Sequence, residues 1–169
     1  MFSGCTSLTE APELPATSLA TNCYYSMFSV CKGLTEAPDL PATTLADSCY
    51  DSMFAGCTGL TKAPELRATT LASRCYFRMF CSCTSLTEAP KLPATTLFDN
   101  CYYAMFCNCT NLISITCLAT NGTGFPSTQL WLVNVSAKGT FVKAAGMTSW
   151  PSGDIGIPEG WTVQNYVAP

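Results

Sequence analysis

Cysteine dominates the chemistry that this chain could perform. Twelve cysteines occur among 169 residues, and there is no histidine. Thiolates act as nucleophiles, form disulfides or bind metal ions, whereas protonated thiols fill a core as small apolar groups. Nine of the cysteines recur at one constant spacing, in two series. The series are Cys5, Cys31, Cys57, Cys83 and Cys109, and Cys23, Cys49, Cys75 and Cys101.

The regular spacing of the two series favours packing over reactivity. A position that is cysteine in every unit of a repeat needs the same small volume in every unit. Side chains that recur in one direction along a repeat are also poorly oriented for disulfide bonds with each other. We therefore expect a ladder of buried free thiols at both positions.

Three further cysteines, Cys81, Cys107 and Cys117, lie outside the two series. Cys81 and Cys107 occupy the same repeat position in neighbouring units, so a disulfide between them is one alternative. A zinc site built from the Cys-x-Cys pairs that end at Cys83 and Cys109 is a second alternative. The spacing is not a usual zinc signature, and one cysteine of each pair belongs to the packing series. We predict no metal site and leave the disulfide open.

Other catalytic signals are missing from the sequence. The absence of histidine removes the commonest general base and the commonest metal ligand together. There is no phosphate-binding loop, no Gly-x-Ser-x-Gly element and no cysteine–histidine pair. We predict that the chain is not an enzyme and has no catalytic residues, no cofactor-binding residues and no cofactor.

Composition narrows the classes of partner. Charged residues make up 11% of the chain, where about a quarter is usual. The net charge of -3 is spread along the sequence and offers no basic patch, which argues against nucleic-acid binding. The apolar runs are too short to span a bilayer, so we expect no membrane insertion. The first residues also lack the basic and apolar regions of a signal peptide.

The cysteine series belong to a larger repeat with the same period. The pair Met-Phe recurs at Met1, Met27, Met53, Met79 and Met105, and thirteen positions are identical in all four full units. A unit of this size cannot bury its own apolar face, so the units are expected to stack. The invariant apolar residues expected to pack are, in the first unit, Met1, Phe2, Cys5, Leu8, Ala11, Leu14, Leu19 and Cys23.

Each unit contains signals for a strand, a turn and a helix. The segment 8–11 reads as a short strand, and Pro12 and Pro15 bound it because proline cannot donate to a ladder. In the second unit, Leu45, Cys49 and Met53 are four residues apart, which is typical of a helix. The sequence therefore predicts an α/β repeat, with one short strand and one short helix in each 26-residue coil.

The repeat resembles a known family. The pattern Cys-x-x-Leu-Thr-x-Ala-Pro-x-Leu-Pro-Ala-Thr-x-Leu, followed by Cys-Tyr-x-x-Met-Phe, is similar to the cysteine-bearing leucine-rich repeats of BspA-like bacterial surface proteins. The element formed by Phe2, Cys5 and Leu8 carries the most specific match, and the resemblance covers residues 1 to about 118. The period of 26 is longer than is common in that family, and Ala-Pro stands where a β-branched pair is usual. The resemblance implies a right-handed leucine-rich-repeat solenoid on the cell surface of a Bacteroides-type bacterium, or secreted from it.

The composition changes after residue 118. We divide the chain into a solenoid at 1–118, with four full coils and a partial fifth, and a C-terminal capping segment at 119–169. Short strands are expected at 129–135 and 140–142 within a small β-rich cap. All three tryptophans, Trp131, Trp150 and Trp161, lie here and are expected to close the core. The alternative is a small recognition module with exposed tryptophans.

The first unit has no comparable capping element. Residue 1 falls within a coil, and we expect the natural chain to extend upstream. An uncovered apolar coil edge favours self-association, so homo-association through the N-terminal coil is a possible interaction.

Positions that vary between units indicate where recognition takes place, because variation on a fixed scaffold changes only the exposed surface. Two rows flank the expected strand and form the candidate binding face, and a third row supplies candidate exposed aromatic residues. The binding-face rows are Glu10, Glu36, Lys62 and Glu88, and Glu13, Asp39, Glu65 and Lys91. The third row contains Tyr25, Phe77 and Tyr103, with Asp51 in the second unit.

These observations predict a non-catalytic leucine-rich-repeat module of a bacterial surface or secreted protein. Its expected partner is another protein or a host surface or matrix component. The alternative is a structural spacer or stalk segment of a larger surface protein, in which the coils set length and nothing binds their face.

Overall fold

The computed structural model describes residues 1–168, in which the repeats stack in register. Five segments of consecutive turns follow one another at the interval of the repeat, at 21–30, 47–56, 73–82, 99–108 and 125–134. Backbone hydrogen bonds join each segment to the next. The Phe28 N–H donates to the Met53 carbonyl at 2.9 Å, and the Phe54 N–H donates to the Met79 carbonyl at 2.9 Å. Each coil therefore lies directly on the following one.

The N–H groups of a turn segment alternate between two kinds of acceptor. In segment 21–30, odd-numbered residues donate to the carbonyl three residues earlier, as Met27 does to Tyr24 at 3.2 Å. Even-numbered residues donate to the next coil, as Tyr24 does to Cys49 at 3.0 Å. Every fourth residue has a left-handed backbone, with φ of 58° at Asn22, 49° at Ser26 and 60° at Val30. The segment is thus a ribbon of tight turns in which half of the backbone N–H groups donate to carbonyls of the next coil.

The expected solenoid with one strand and one helix per coil is wrong. The described residues contain no α-helix, and their one helical element is a 3-10 helix at Gly153–Ile155. An α-helix would direct every N–H to a carbonyl four residues earlier in the same coil. Here the left-handed residues Ser48, Ser52 and Gly56 recur every four positions, in step with Leu45, Cys49 and Met53. The spacing of four that predicted a helix is therefore the period of the turn ribbon.

Regular strands occur only in the C-terminal part of the described residues. Strand β1 covers Ser114–Cys117, β2 covers Thr140–Lys143 and β3 covers Thr162–Asn165. They form one parallel sheet in the order β1-β2-β3. Ser114 pairs with Thr140, and Thr140 pairs with Thr162.

In the preceding coils the expected strand is reduced to isolated bridges, such as those between Glu36 and Lys62 and between Glu88 and Ser114. Proline accounts for the difference, because it removes one backbone donor from each coil at Pro12 and its equivalents. Strand β1 lies opposite the segment from Glu88 to Leu92 of the coil before it, which contains Pro90, and β1 itself has no proline. The ladder extends into a strand at the first coil without this proline.

The core consists of columns of equivalent side chains, as the invariant positions predicted. The phenylalanine rings of successive coils stack with centroids 5.5 to 5.7 Å apart and nearly parallel planes. A tyrosine column runs beside them, with Tyr24 and Tyr50 rings 5.7 Å apart. From the second coil onward the phenylalanine and cysteine columns are almost entirely buried, and the methionine column is buried from Met53 onward. Side chains of the first coil are more open, and Met1 is 97% exposed.

The segment after residue 118 continues the stack and then covers its end. Residues 129–135, expected as a strand, instead lie mostly in the turn segment 125–134, whereas β2 includes the expected strand at 140–142. Trp131 is fully buried and stacks on Tyr102, with ring centroids 6.2 Å apart. Trp150 stacks on the other side of Trp131 at 5.5 Å. Trp131 and Trp161 are both buried, so neither forms an exposed recognition surface.

No helix among residues 1–168 is long and apolar enough to cross a membrane.

Candidate binding face

The two rows that the sequence singled out lie on one exposed face of the stack. In the second coil, buried Leu34 and Leu40 anchor the segment 34–40, and Glu36 and Asp39 between them are exposed. The same pattern of leucines and exposed polar residues recurs in the neighbouring coils. We call the surface formed by residues 9–13, 35–39, 61–65 and 87–91 the Glu-Ala-Pro face.

Charges on the middle coils of the Glu-Ala-Pro face are paired between coils. Lys62 forms an ion pair with Glu36, its equivalent in the preceding coil. Arg67 lies 3.2 Å from Asp39 and 3.0 Å from Glu65. Stacking in register places Lys62 beside its counterpart Glu36, whereas Arg67 joins Asp39 of the preceding coil and Glu65 of its own coil. All these side chains are well exposed, and each pair contributes between about 0 and 1 kcal/mol to stability.

The two ends of the Glu-Ala-Pro face differ in charge pairing. Glu10, Glu13 and Glu88 form no ion pair within residues 1–168. Lys91 donates to the Tyr166 hydroxyl at 2.7 Å and lies 4.3 Å from the centre of that ring. Tyr166, the residue after β3, therefore contacts Lys91 at the C-terminal end of the face. At the other end, the carboxylates of Glu10 and Glu13 are not paired with any cation among the described residues.

Three grooves follow the Glu-Ala-Pro face. One, of about 510 Å³, lies between Glu10 and Glu36, and a second, of about 490 Å³, lies beside Glu13 and Asp39. A third, of about 380 Å³, lies between the third and fourth coils. Their walls bring together residues of both predicted rows. The residues lining the third groove include Lys62, Glu65, Glu88 and Lys91.

Sequence reasoning missed some residues that line these grooves and some that pair with the charges beside them. Prolines line all three grooves, including Pro15, Pro38 and Pro64, but the sequence suggested only that they end strands. Arg67 was also missed, although its signal was present: it stands where other coils have proline. No local pattern could have placed Tyr166 against Lys91, because 75 residues separate them.

The third row divides between exposed and packed positions. Tyr25 is 56% exposed, whereas Phe77 and Tyr103 are half-buried and stack with ring centroids 4.7 Å apart. Asp51 is buried and accepts hydrogen bonds from Arg74 at 3.1 Å and from Ser52 at 2.7 Å. The Arg74 guanidinium also lies 4.0 Å from the centre of the Phe77 ring.

All twelve cysteines are free thiols, and eight of them are buried. In one series each thiol from Cys31 onward donates to a phenylalanine carbonyl of the preceding coil, as Cys57 does to Phe28 at 3.0 Å and Cys83 to Phe54 at 3.2 Å. Burial raises the pKa of Cys57 and of Cys109 to about 12. These thiols stay protonated near neutral pH and act as small core groups with one weak hydrogen bond each.

Comparison with protein-family models, with curated proteins and with solved structures finds no match for this chain. Within residues 1–168, no group of three or more Cys, Asp or Glu side chains is arranged to hold a metal ion.

Proposed function

We propose that this chain is a non-catalytic binding module of a bacterial surface or secreted protein, and that its Glu-Ala-Pro face contacts another protein or a host matrix component. The main support is that three grooves follow this one face. Concave surfaces on a repeat scaffold are the usual place for extended partners to bind. The resemblance of the repeat to BspA-like surface proteins supports the location.

The chemistry of the face favours a basic, extended partner. Glu10 and Glu13 are exposed and form no ion pair in the described part of the chain. Glu10 lines one groove and Glu13 lines another, and Ala11 contributes to both. Apolar groove walls accommodate side-chain stems, while rim carboxylates attract lysine and arginine. A segment that crosses the first two coils would therefore present cationic residues toward Glu10 and Glu13.

One observation favours the structural-spacer alternative. The charges of the middle coils neutralise one another, through Lys62 with Glu36 and through Arg67 with Asp39 and Glu65. Such ion pairs stabilise the stack and leave fewer unpaired charges for a partner to bind. In a spacer of this kind, even the unpaired carboxylates of the first coil would only keep the surface solvated.

The two proposals are separated by reversing charge on the first coil. The double variant Glu10→Lys/Glu13→Lys and the wild type are applied to an array of extended lysine- and arginine-bearing peptides and to purified matrix proteins. For a ligand of the Glu-Ala-Pro face, we expect affinity to fall by about tenfold or more, mainly through slower association. The measurement is surface plasmon resonance at two salt concentrations.

The matched control is Asp99→Lys/Asp154→Lys, which makes the same change of charge at exposed sites off this face. Binding that weakens equally in both double variants reflects net charge alone and contradicts a specific site. If no peptide or matrix protein distinguishes the first variant from wild type, the binding proposal fails and the spacer alternative remains.

A further inference from the structure

Arg67 lies beside the Glu-Ala-Pro face and shows what two of its acidic side chains can bind. Its Nη2 lies 3.2 Å from Oδ1 of Asp39 in the preceding coil. Its Nε donates to Oε2 of Glu65 in the same coil at 3.0 Å. One guanidinium therefore joins two carboxylates that occupy the same repeat position in neighbouring coils, because its N–H donors form a planar fork.

The first two coils repeat this arrangement without the arginine. Glu13 and Asp39 occupy one repeat position in these coils, and Glu13 forms no ion pair within residues 1–168. Pro41 stands where Arg67 stands one coil later. A proline ring carries no charge and no side-chain donor, so it cannot join the two carboxylates as Arg67 does.

An open groove lies between these two carboxylates. It has a volume of about 490 Å³, and its lining includes the two acidic residues and five apolar ones, namely Ala11, Leu14, Pro15, Pro38 and Pro41. The apolar walls suit the methylene stem of a long basic side chain, and the carboxylates suit its charged end. The groove therefore lies at the place that an arginine at position 41 would occupy.

We propose that this groove binds the side chain of one arginine from a partner protein, with its guanidinium between Glu13 and Asp39. It rests on the proposed function, since the groove belongs to the Glu-Ala-Pro face, and it names the side chain that this face recognises. Arg67 contacts Oδ1 of Asp39, and that carboxylate has a second oxygen for the incoming guanidinium.

Arginine suits the groove better than lysine. Separate N–H groups of one guanidinium reach carboxylates in two coils, as they do at Arg67, whereas a lysine ammonium is a compact point charge. Ion pairs between exposed side chains are weak individually. We therefore expect a single arginine to bind weakly, and the preference over lysine to be a few-fold.

The probe is a capped peptide of five residues with arginine between glycines, and the comparison peptide has lysine instead. Each is titrated into the full chain at low salt, which limits screening of the charges. NMR follows the methyl groups of Ala11 and Leu14, which line the groove. We expect the arginine peptide to bind at least about threefold more tightly than the lysine peptide.

Arginine is then placed inside the groove by Pro41→Arg. Its side chain should join Glu13 and Asp39 and weaken binding of the arginine peptide by about fivefold or more, because an internal group has a high effective concentration. Pro93→Arg is the matched control, with the same substitution at the same repeat position of the fourth coil, and should leave binding unchanged. Arg67 itself indicates that a coil accepts arginine at this position.

The reverse substitution, Arg67→Pro, should create a second site. It gives the third coil the proline that the other full coils have, and it frees the carboxylates of Asp39 and Glu65. The arginine peptide should then also shift the methyl groups of Ala37 and Leu40, which are the equivalents of Ala11 and Leu14 in the second coil.

Several results would overturn the arginine site. They are no shift with the arginine peptide, equal affinity for the lysine peptide, undiminished binding by Pro41→Arg, and no new shifts in Arg67→Pro. A longer ligand that loses affinity in Glu10→Lys/Glu13→Lys but not in Pro41→Arg would also contradict it, and would leave the proposed function intact.

Discussion

One side chain in the core of this stack, Tyr102, has a polar atom without a hydrogen-bond partner among the described residues. The tyrosine column continues from Tyr76 to Tyr102, with ring centroids 6.1 Å apart, and then to Trp131. Tyr102 is completely buried, and its hydroxyl has no hydrogen-bond partner among the described residues. Burial also raises its pKa well above the ordinary value. The ring is needed to continue the column, but an unpaired buried hydroxyl costs stability.

Tyr102→Phe is therefore expected to stabilise the protein by about 1 kcal/mol, because it removes the unpaired hydroxyl and keeps the stacked ring. Tyr24→Phe is the matched control at the half-buried start of the same column and should change stability little. Urea unfolding followed by circular dichroism measures both variants. A loss of stability in Tyr102→Phe would show that the hydroxyl has a partner that compensates its burial.

At the scale of elements, the sequence predicted which side chains stack but not the backbone that carries them. The repeat period identified the columns because equivalent residues of successive coils must meet. The spacing of four between Leu45, Cys49 and Met53 is shared by a helix and by consecutive turns. The two differ in whether N–H groups bond within a coil or between coils, which depends on contacts with the next coil, as from Tyr24 to Cys49.

The candidate binding face could be predicted for a similar reason. Its rows are repeat positions, and stacking in register was enough to bring Glu36 beside Lys62. The turn segment at 125–134 could not be found in this way, because its sequence no longer follows the repeat. Trp131 lies in this segment in place of the residues of the repeat. The backbone nevertheless continues the same hydrogen bonds between coils, as from the Phe106 N–H to the Trp131 carbonyl at 2.9 Å.

The element that covers Trp131 depends on one glycine. The Gly156 carbonyl accepts a hydrogen bond from the Trp131 indole at 2.7 Å. A Cβ at Gly156 would lie 1.8 Å from the Pro151 carbonyl oxygen, so any larger residue must displace this backbone. Gly146 is exposed, and a Cβ there would have no atom within 4 Å.

Gly156→Ala is expected to destabilise the protein by about 3 kcal/mol, as overpacking of a rigid backbone does. Gly146→Ala should have an effect of less than about 0.5 kcal/mol. Thermal unfolding measures both, and tryptophan fluorescence reports whether Trp131 becomes exposed to water. Equal stability of the two variants would mean that the segment around Gly156 does not hold the end of the stack.

At the scale of the whole molecule, the buried thiols link stability to alkaline pH. Burial raises the pKa of five of them from the ordinary value of 9.0 to about 12, namely Cys49, Cys57, Cys101, Cys109 and Cys117. Between these two values the folded chain keeps each proton and the unfolded chain loses it. The unfolded state therefore binds fewer protons, and the free energy of unfolding falls as pH rises through this window.

Each of these five thiols lowers the free energy of unfolding by about 1.4 kcal/mol per pH unit above pH 9, or about 7 kcal/mol per unit together. Cys75 and Cys83, whose pKa burial raises well above the ordinary value, make the fall steeper still. A domain with an ordinary stability of about 5–15 kcal/mol should therefore unfold at roughly pH 10–11, while its stability stays nearly constant below pH 8. Urea unfolding at a series of pH values measures the slope. Cys117→Ala removes one of the five protons and should make the slope shallower by about 1.4 kcal/mol per pH unit, whereas Cys5→Ala, at an exposed thiol, should leave it unchanged. If the wild type keeps its neutral-pH stability up to pH 12, the thiol columns are open to water rather than sealed between the coils.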